Sequence, residues 1–392
     1  MDLRFTPEQQ HFRAEVRDWL EQALSGDFRE VRGRGGPGDE HECLAPRRTW
    51  ERHLAEHRWT CLDWPQEHGG RDLPLIDQVI FHEEYARADG PGRLGHIGET
   101  LLGPTLIHFG GEAQQARFLP GIRAAESLWC QGYSEPEAGS DLANVQCRAL
   151  RDGDDWVITG QKTWTSLAHL SDWCFALCRT NTEVPKHKGI SYLLVPMNQP
   201  GITIRPIEQI TGGAEFCEVF FDGARTPADN VVGPVDGGWK VALGTLAFER
   251  GASTLAQQME FANELEAVIE ALKRSGPMHA PDVLIRLGDL AVRLKVMRLN
   301  ALRILSTSQT SRLSREALIT KLYWATWHRD LGELAVDVLG QAAEVLGPGD
   351  YDLNRLQRLF LWTRCDTIYA GSNEIQRNII GERALGLPRE PR

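Results

Sequence analysis

The feature that most constrains this chain is a change of hydrophobic period that happens twice. Up to about residue 126 the apolar residues recur at helical spacing. From about Ser127 they fall into short β-rich runs, and after Gly237-Gly238 helical spacing returns and persists. A chain patterned in this way is expected to fold in three parts: an all-helical domain over 1–126, a small antiparallel β-barrel domain over 127–236 and a helical bundle domain over 237–392. The fold class is therefore α+β.

Local signals fill in each part. Thr6, Pro7 and Gln9 predict a capped helix start, and Phe12, Val16, Trp19, Leu20 and Ala23 form the stripe behind it. Further helical patterns run from about Arg47 to His57, Leu75 to Ala88 and Leu101 to Phe109, with a glycine-rich loop over Arg32 to Gly38. Strand patterns cover Val145 to Leu150, Trp156 to Gly160, Trp173 to Cys178, Ile190 to Val195, Ile202 to Ile207 and Phe216 to Phe221. Leu255 to Leu272, Leu284 to Leu305, Ala317 to Leu346, Leu353 to Tyr369 and Glu374 to Leu385 read as the helices of an antiparallel bundle.

Charge and cysteine usage narrow the partners. With 43 Lys and Arg against 54 Asp and Glu, the net charge of −11 argues against nucleic acid or an anionic membrane surface. The eight cysteines are scattered through apolar strings and read as reduced core residues. No leader pattern and no apolar run of membrane length appear, so a cytoplasmic protein is expected. His53 and His57, four apart among Glu51, Arg52, Glu56 and Arg58, read as a solvated helix face, and no metal is expected.

Chemistry concentrates in two neighbouring stretches. Gly132-Tyr133-Ser134-Glu135-Pro136-Glu137-Ala138-Gly139-Ser140-Asp141 offers amides, the hydroxyls of Ser134 and Ser140, and a bend fixed by Pro136 and Gly139. Lys162-Thr163-Trp164-Thr165-Ser166 adds a flat indole, with Ser166 on the same side if the segment is extended. Together they read as a shelf for a planar polar cofactor. Pro136 stands where a nucleophile elbow needs glycine, which removes a hydrolase reading. Glu249 shares a helical stripe with Ala242, Leu246, Ser253 and Ala256, a setting that raises a carboxylate pKa and suits a general base. Arg250 beside it can pair with that carboxylate or serve an anionic substrate. Ala370-Gly371-Ser372-Asn373-Glu374-Ile375-Gln376 is a turn into a helix, with Asn373 and Gln376 placed as a capping box and free amides that suit a phosphate or a ring edge.

The segments Gly132 to Asp141, Lys162 to Ser166 and Tyr369 to Gly386, in this order and spacing, resemble the signature segments of the acyl-CoA dehydrogenase family of flavoproteins. The resemblance implies FAD-dependent α,β-desaturation of an acyl-CoA, with an electron-transfer flavoprotein as acceptor. It also implies that Gln131, Tyr133, Ser134, Trp164, Ser166 and Ser372 contact the flavin, and that Ser140 and Arg250 contact the CoA portion. Many members carry the catalytic Glu where this chain has Ala370; a subgroup carries it at the position matched by Glu249, which is therefore the expected base.

Two departures bear on assembly. Members usually have a Gln followed by Gly-Gly that reaches the neighbouring subunit's cofactor; Gln341 is present here, but Glu344 and Val345 replace the glycines. An Arg-x-x-Phe-Gly segment expected near residue 275 is replaced by Lys273-Arg274-Ser275-Gly276-Pro277. This pattern resembles bacterial members built as α2β2 heterotetramers that act on bulky or steroid acyl-CoAs. A homotetramer is the other assembly expected. The competing functional expectations are a non-catalytic partner subunit and a flavin oxidase or monooxygenase on the same fold.

Overall fold

The computed structural model describes residues 4–248, 252–274, 281–307, 315–349 and 351–389. The N-terminal part comprises α1 (Pro7–Ser25), α2 (Leu44–Glu56), α3 (Leu75–Arg87), α4 (Gly103–Phe109) and α5 (Glu112–Arg123). Thr6 caps α1 as its sequence predicts: the Thr6 side chain accepts from the Gln9 amide while the Gln9 side chain bonds back to the Thr6 amide. Val16, Leu20, Trp50, Leu54, Trp59 and Phe81 close α1–α3 around one core, while Leu106 of α4 and Phe118, Leu119 and Ile122 of α5 pack with residues of the sheet in another. The helix predicted from Leu101 instead begins as a π-turn over Gly98–Leu102, which the apolar periodicity does not reveal. His53 is also not a solvated residue, because its ring stacks on Trp19 and tilts against Phe28.

The middle strands are β1 (Trp129–Gly132), β2 (Arg148–Asp152), β3 (Asp155–Ser166), β4 (Trp173–Arg179), β5 (Ile190–Pro196), β6 (Ile202–Ile207), β7 (Phe216–Pro227) and β8 (Val231–Val232). They form one sheet in the order β6-β7-β3-β2-β4-β5-β8, with β1 added on β4. Most pairings are antiparallel, as the turn signals require. β1 and β2, however, both run parallel to β4, so the sheet is mixed. Short apolar strands carry no sign of their direction, and the parallel pairs arise because long connections separate β1 and β2 from β4.

Helices return with α6 (Gly238–Phe248), α7 (Ala252–Ala256), α8 (Gln258–Arg274), α9 (Pro281–Thr307), α10 (Arg315–Leu318), α11 (Thr320–Leu339), α12 (Arg355–Trp362) and α13 (Asn373–Ile379). α8, α9, α11 and α12 surround a core that includes Phe261, Leu265, Leu290, Trp327, Leu331 and Leu334. Three predicted long helices are broken in the structure, one of them at Trp362, where α12 gives way to a 3-10 turn over Cys365–Thr367. A turn at Gln257 separates α7 from α8, and the segment predicted as a helix to Leu346 ends at Leu339 in a short 3-10 turn over Gly340–Glu344.

Candidate functional site

The shelf is built on β1, the turn after it, and the end of β3. Glu135 and Ala138 exchange backbone hydrogen bonds of 3.1 and 3.0 Å, closing the Pro136-Glu137 bend. Beneath this turn Lys162 is fully buried, and its Nζ donates to Glu135 Oε1 at 2.7 Å, Leu177 O at 2.6 Å and Tyr133 O at 3.2 Å. Glu135 also accepts from the amides of Gln146 and Cys147, at 2.5 and 3.0 Å. A buried charge survives only when paired and hydrogen-bonded, and each group here completes the other. The ion pair thus fixes turn and strand as one unit, and the Thr163 amide ties them again by donating to Ser134 O at 2.9 Å.

The register of β3 against β7 slips between Lys162 and Thr165, and Trp164 there takes a left-handed φ of 57°. A non-glycine residue in that region is strained and requires its surroundings to hold it. Here the Trp164 indole is 58% exposed, while Thr165 is buried and Ser166 half-buried. Phe216 meets Trp164 edge-on with ring centroids 6.2 Å apart, and Trp362 of α12 stacks on Phe216 at 6.1 Å. Two aromatic residues from distant parts of the chain therefore wall one edge of the shelf. The hydroxyls of Ser134 and Ser166 and the indole N–H find no hydrogen-bond partner among the described residues. This donor and acceptor set, beside a bare aromatic face, fits a flat ring rimmed with heteroatoms, as in a flavin.

The other predicted site residues are distributed differently. Gln131 is half-buried in β1 next to the turn. The Tyr133 ring is turned into the core against Phe175 and Tyr192, which leaves its backbone toward the shelf. Ser140 is exposed at the far end of the bend, where Asp141 pairs with Lys186 at 3.5 Å. Gln341 and Glu344 are exposed on the short 3-10 turn after α11. Glu249 and Arg250 lie outside the described residues, as do Ser275, Gly276 and Pro277. Of Glu249's predicted stripe, Ala242 and Ala256 are buried, Leu246 is half-buried and Ser253 is exposed.

The turn at 370–372 is strained and closely held. Ala370 and Gly371 take φ values of 50° and 84°. The cap of α13 is Ser372, whose Oγ accepts from the Ile375 amide at 3.4 Å, so Asn373 stands one position inside the predicted capping box. Capping uses an acceptor of Ser372, while the Glu374 amide and the Ser372 hydroxyl bond to the Glu374 carboxylate and hold that group below its ordinary pKa. Trp324 packs near Tyr369, just before this turn, at 6.4 Å, and lines a small cleft with Leu255 of α7, Gln258, Met297, Ala301 and Tyr323. Sequence reasoning missed Glu135 and Lys162, whose separation hides their pairing, and Phe216 and Trp362, which look like any core aromatics.

The chain matches the N-terminal, middle and C-terminal domains of acyl-CoA dehydrogenase over residues 6–126, 130–224 and 236–385. It is 56% identical over 381 residues to the acyl-CoA dehydrogenase IpdE1 of Mycobacterium tuberculosis, covering 97% of this chain and 98% of that protein. The fold is similar to that of the Tcur3481-Tcur3483 steroid ACAD, with a TM-score of 0.86 at 31% identity and full coverage (100%) of both chains. It is also similar to the ChsE4-ChsE5 complex from Mycobacterium tuberculosis, with a TM-score of 0.83 at 30% identity, again over 100% of both chains. The shelf, the three-part order and these likenesses agree: the chain belongs to the acyl-CoA dehydrogenase family, FAD-dependent oxidoreductases that act on CH–CH groups.

Proposed function

We propose that this chain catalyses α,β-dehydrogenation of a bulky, steroid-derived acyl-CoA to the 2-enoyl-CoA, with Glu249 removing the α-proton. The chemistry that bound FAD supplies is acceptance of the β-hydrogen as a hydride. The chain's own residues do the rest. Trp164, Ser134 and Ser166 would hold the flavin ring, and the Lys162–Glu135 pair keeps the turn from moving under load. Phe216 and Trp362 exclude water from one side. Ala370 has no proton-abstracting group, which supports assigning the base to Glu249. Arg250 and Ser140 are proposed to hold the CoA portion. The steroid assignment rests on what the similar structures are said to act on. An electron-transfer flavoprotein is the proposed acceptor, in the cytoplasm.

The observation that carries this reading is the exposed Trp164 held in a left-handed backbone beside unpartnered hydroxyls. Its test is Glu249→Gln, expected to keep bound flavin yet leave it oxidised when a steroid-derived CoA thioester is added. Reduction at the parent rate would refute the assignment. Equal activity on short, long and steroid-derived thioesters would refute the substrate class.

Val345 and Leu346, 66% and 44% exposed, stand on a segment that is exposed throughout 344–349, as a subunit interface of either assembly would require. The replacement of the glycines by Glu344 and Val345 supports a cofactor site completed across an α2β2 interface with a second acyl-CoA dehydrogenase-like subunit; the alternative is a homotetramer. The flavin-to-protein ratio of the chain expressed alone decides between them: near one per chain supports the homotetramer, and little flavin supports the partner.

A further inference from the structure

Behind the turn at 370–372 lies a buried polar cluster that the proposed chemistry does not use. His328 on α11 is 4% exposed. Its Nδ1 lies 2.6 Å from Asp366 Oδ2 and its Nε2 lies 2.7 Å from Glu264 Oε2 on α8. An imidazole with a carboxylate at each nitrogen donates from both, so the ring is an imidazolium. Burial alone would push its pKa down, but Glu264 and Asp366 outweigh burial and raise it to about 10.

The cluster continues toward the turn. Asp366 is 1% exposed, and its second oxygen accepts from the Tyr369 hydroxyl at 2.7 Å. Its backbone carbonyl accepts from Lys321 Nζ, and that ammonium lies 4.3 Å from the Trp324 ring centroid and 4.8 Å from that of Tyr369. Tyr369 leads directly into Ala370, whose left-handed backbone has to be held by its neighbours. From the other side Gln376 Nε2 donates to the carbonyls of Ala370 and Gly371, at 3.2 and 3.4 Å. Tyr369 is 40% exposed and Ile368 is 68% exposed, so the face of this segment away from the cluster is open to a ligand.

We propose that His328 and Asp366 are positioning residues: the imidazolium clamps Asp366 between α8 and α11, and Asp366, through the Tyr369 hydroxyl, sets where the Ala370–Ser372 turn meets flavin and acyl group. The inference rests on the proposed function in so far as that turn is placed against those ligands. A displacement of about 1 Å at a reacting centre costs on the order of a hundredfold in rate. A network that served stability alone would change the unfolding midpoint without changing chemistry at the turn.

The experiment uses the full chain purified with FAD, with its partner subunit if flavin binding requires one. Tyr369→Phe keeps the ring and removes the hydroxyl link; Asp366→Asn and His328→Gln act further back; Asp330→Asn, on α11 outside the cluster, is the control. Single-turnover flavin reduction by a steroid-derived CoA thioester, the visible flavin spectrum and the circular-dichroism melt are recorded for each. The expected result is a rate loss of about tenfold to a hundredfold in the three variants, with a shifted flavin band, an unchanged substrate half-saturation and a folded Tyr369→Phe protein. The control should stay within twofold of the parent. An active parent whose folded Tyr369→Phe and Asp366→Asn variants match it in rate and spectrum overturns the positioning role alone. A parent that takes up no FAD, or whose FAD no thioester reduces, overturns the proposed function and this role with it.

Discussion

Lys162→Met is the substitution whose consequence can be worked out most fully. Methionine keeps much of the stem's volume and removes the ammonium, so little cavity is created. Glu135, 7% exposed, is then left with only the amides of Gln146 and Cys147, and the carbonyls of Tyr133 and Leu177 lose their shared donor. Removing one partner of a buried ion pair costs about 3–5 kcal/mol. At roughly 2–4 °C per kcal/mol for a domain of 150–250 residues, the unfolding midpoint should fall by on the order of 10 °C. Because Thr163 bonds to Ser134 across the same turn, FAD retention through gel filtration should fall with it. Adding Glu135→Gln to Lys162→Met removes the uncompensated charge and should restore about half of the loss. The assay is a tryptophan-fluorescence melt with and without FAD, paired with the flavin-to-protein ratio. A single variant that melts within about 2 °C of the parent, or a double variant no more stable than the single one, would refute the reasoning.

Trp164→Ala should separate binding from stability. The side chain is 58% exposed, so the apoprotein midpoint should scarcely move, whereas losing a stacking face worth about 1–3 kcal/mol should weaken FAD binding roughly tenfold to a hundredfold in a titration. Gly160→Ala should do the reverse: a Cβ there would lie 2.6 Å from Cys147 Cα, at a φ of 149°, and a loss of about 2–4 kcal/mol in denaturant melts is expected without a direct effect on the shelf. His328 gives a pH dependence. Its folded pKa of about 10 lies above the ordinary 6.5, so its stabilisation is complete below 6.5, declines as pH rises and is lost above about 10. The difference in midpoint between parent and His328→Gln should be largest near pH 6 and shrink toward pH 10; a difference that grew with pH would show that the ring is neutral in the fold.

What was legible in the sequence follows from what is local. The helical and strand periods fix the three-part order because each reports which face of one element is buried, and the Thr6 cap was visible because both of its partners lie within four residues. The expectation that Trp164 and Ser166 share a side was conditional on an extended segment, and the left-handed backbone at Trp164 breaks that condition. The bulge at Trp164 was not visible, because it depends on how β3 meets β7, some fifty residues away. The parallel direction of β1, the break before α8 and the one-residue shift of the α13 cap to Ser372 escaped for similar reasons of context.

The charged groups sharpen the point. Lys162 reads as an ordinary strand lysine and Glu135 as an exposed turn acid, and only folding reveals that neither meets water. His328 and Asp366 are likewise buried, and with the half-buried Glu264 they come from three separate segments. Burying such groups is costly unless every partner arrives together, so natural chains carry few of them by chance. In this fold one set lies under the shelf turn and the other behind the Ala370 turn, and each of those turns holds a non-glycine residue in left-handed backbone nearby. Strain of that kind persists only where rigid surroundings impose it. The two buried clusters are therefore placed to hold the backbone beside each strained segment. Loosening the Lys162–Glu135 support should lower the melting midpoint and FAD retention together, whereas removing only the Tyr369 hydroxyl should slow flavin reduction in a protein that stays folded.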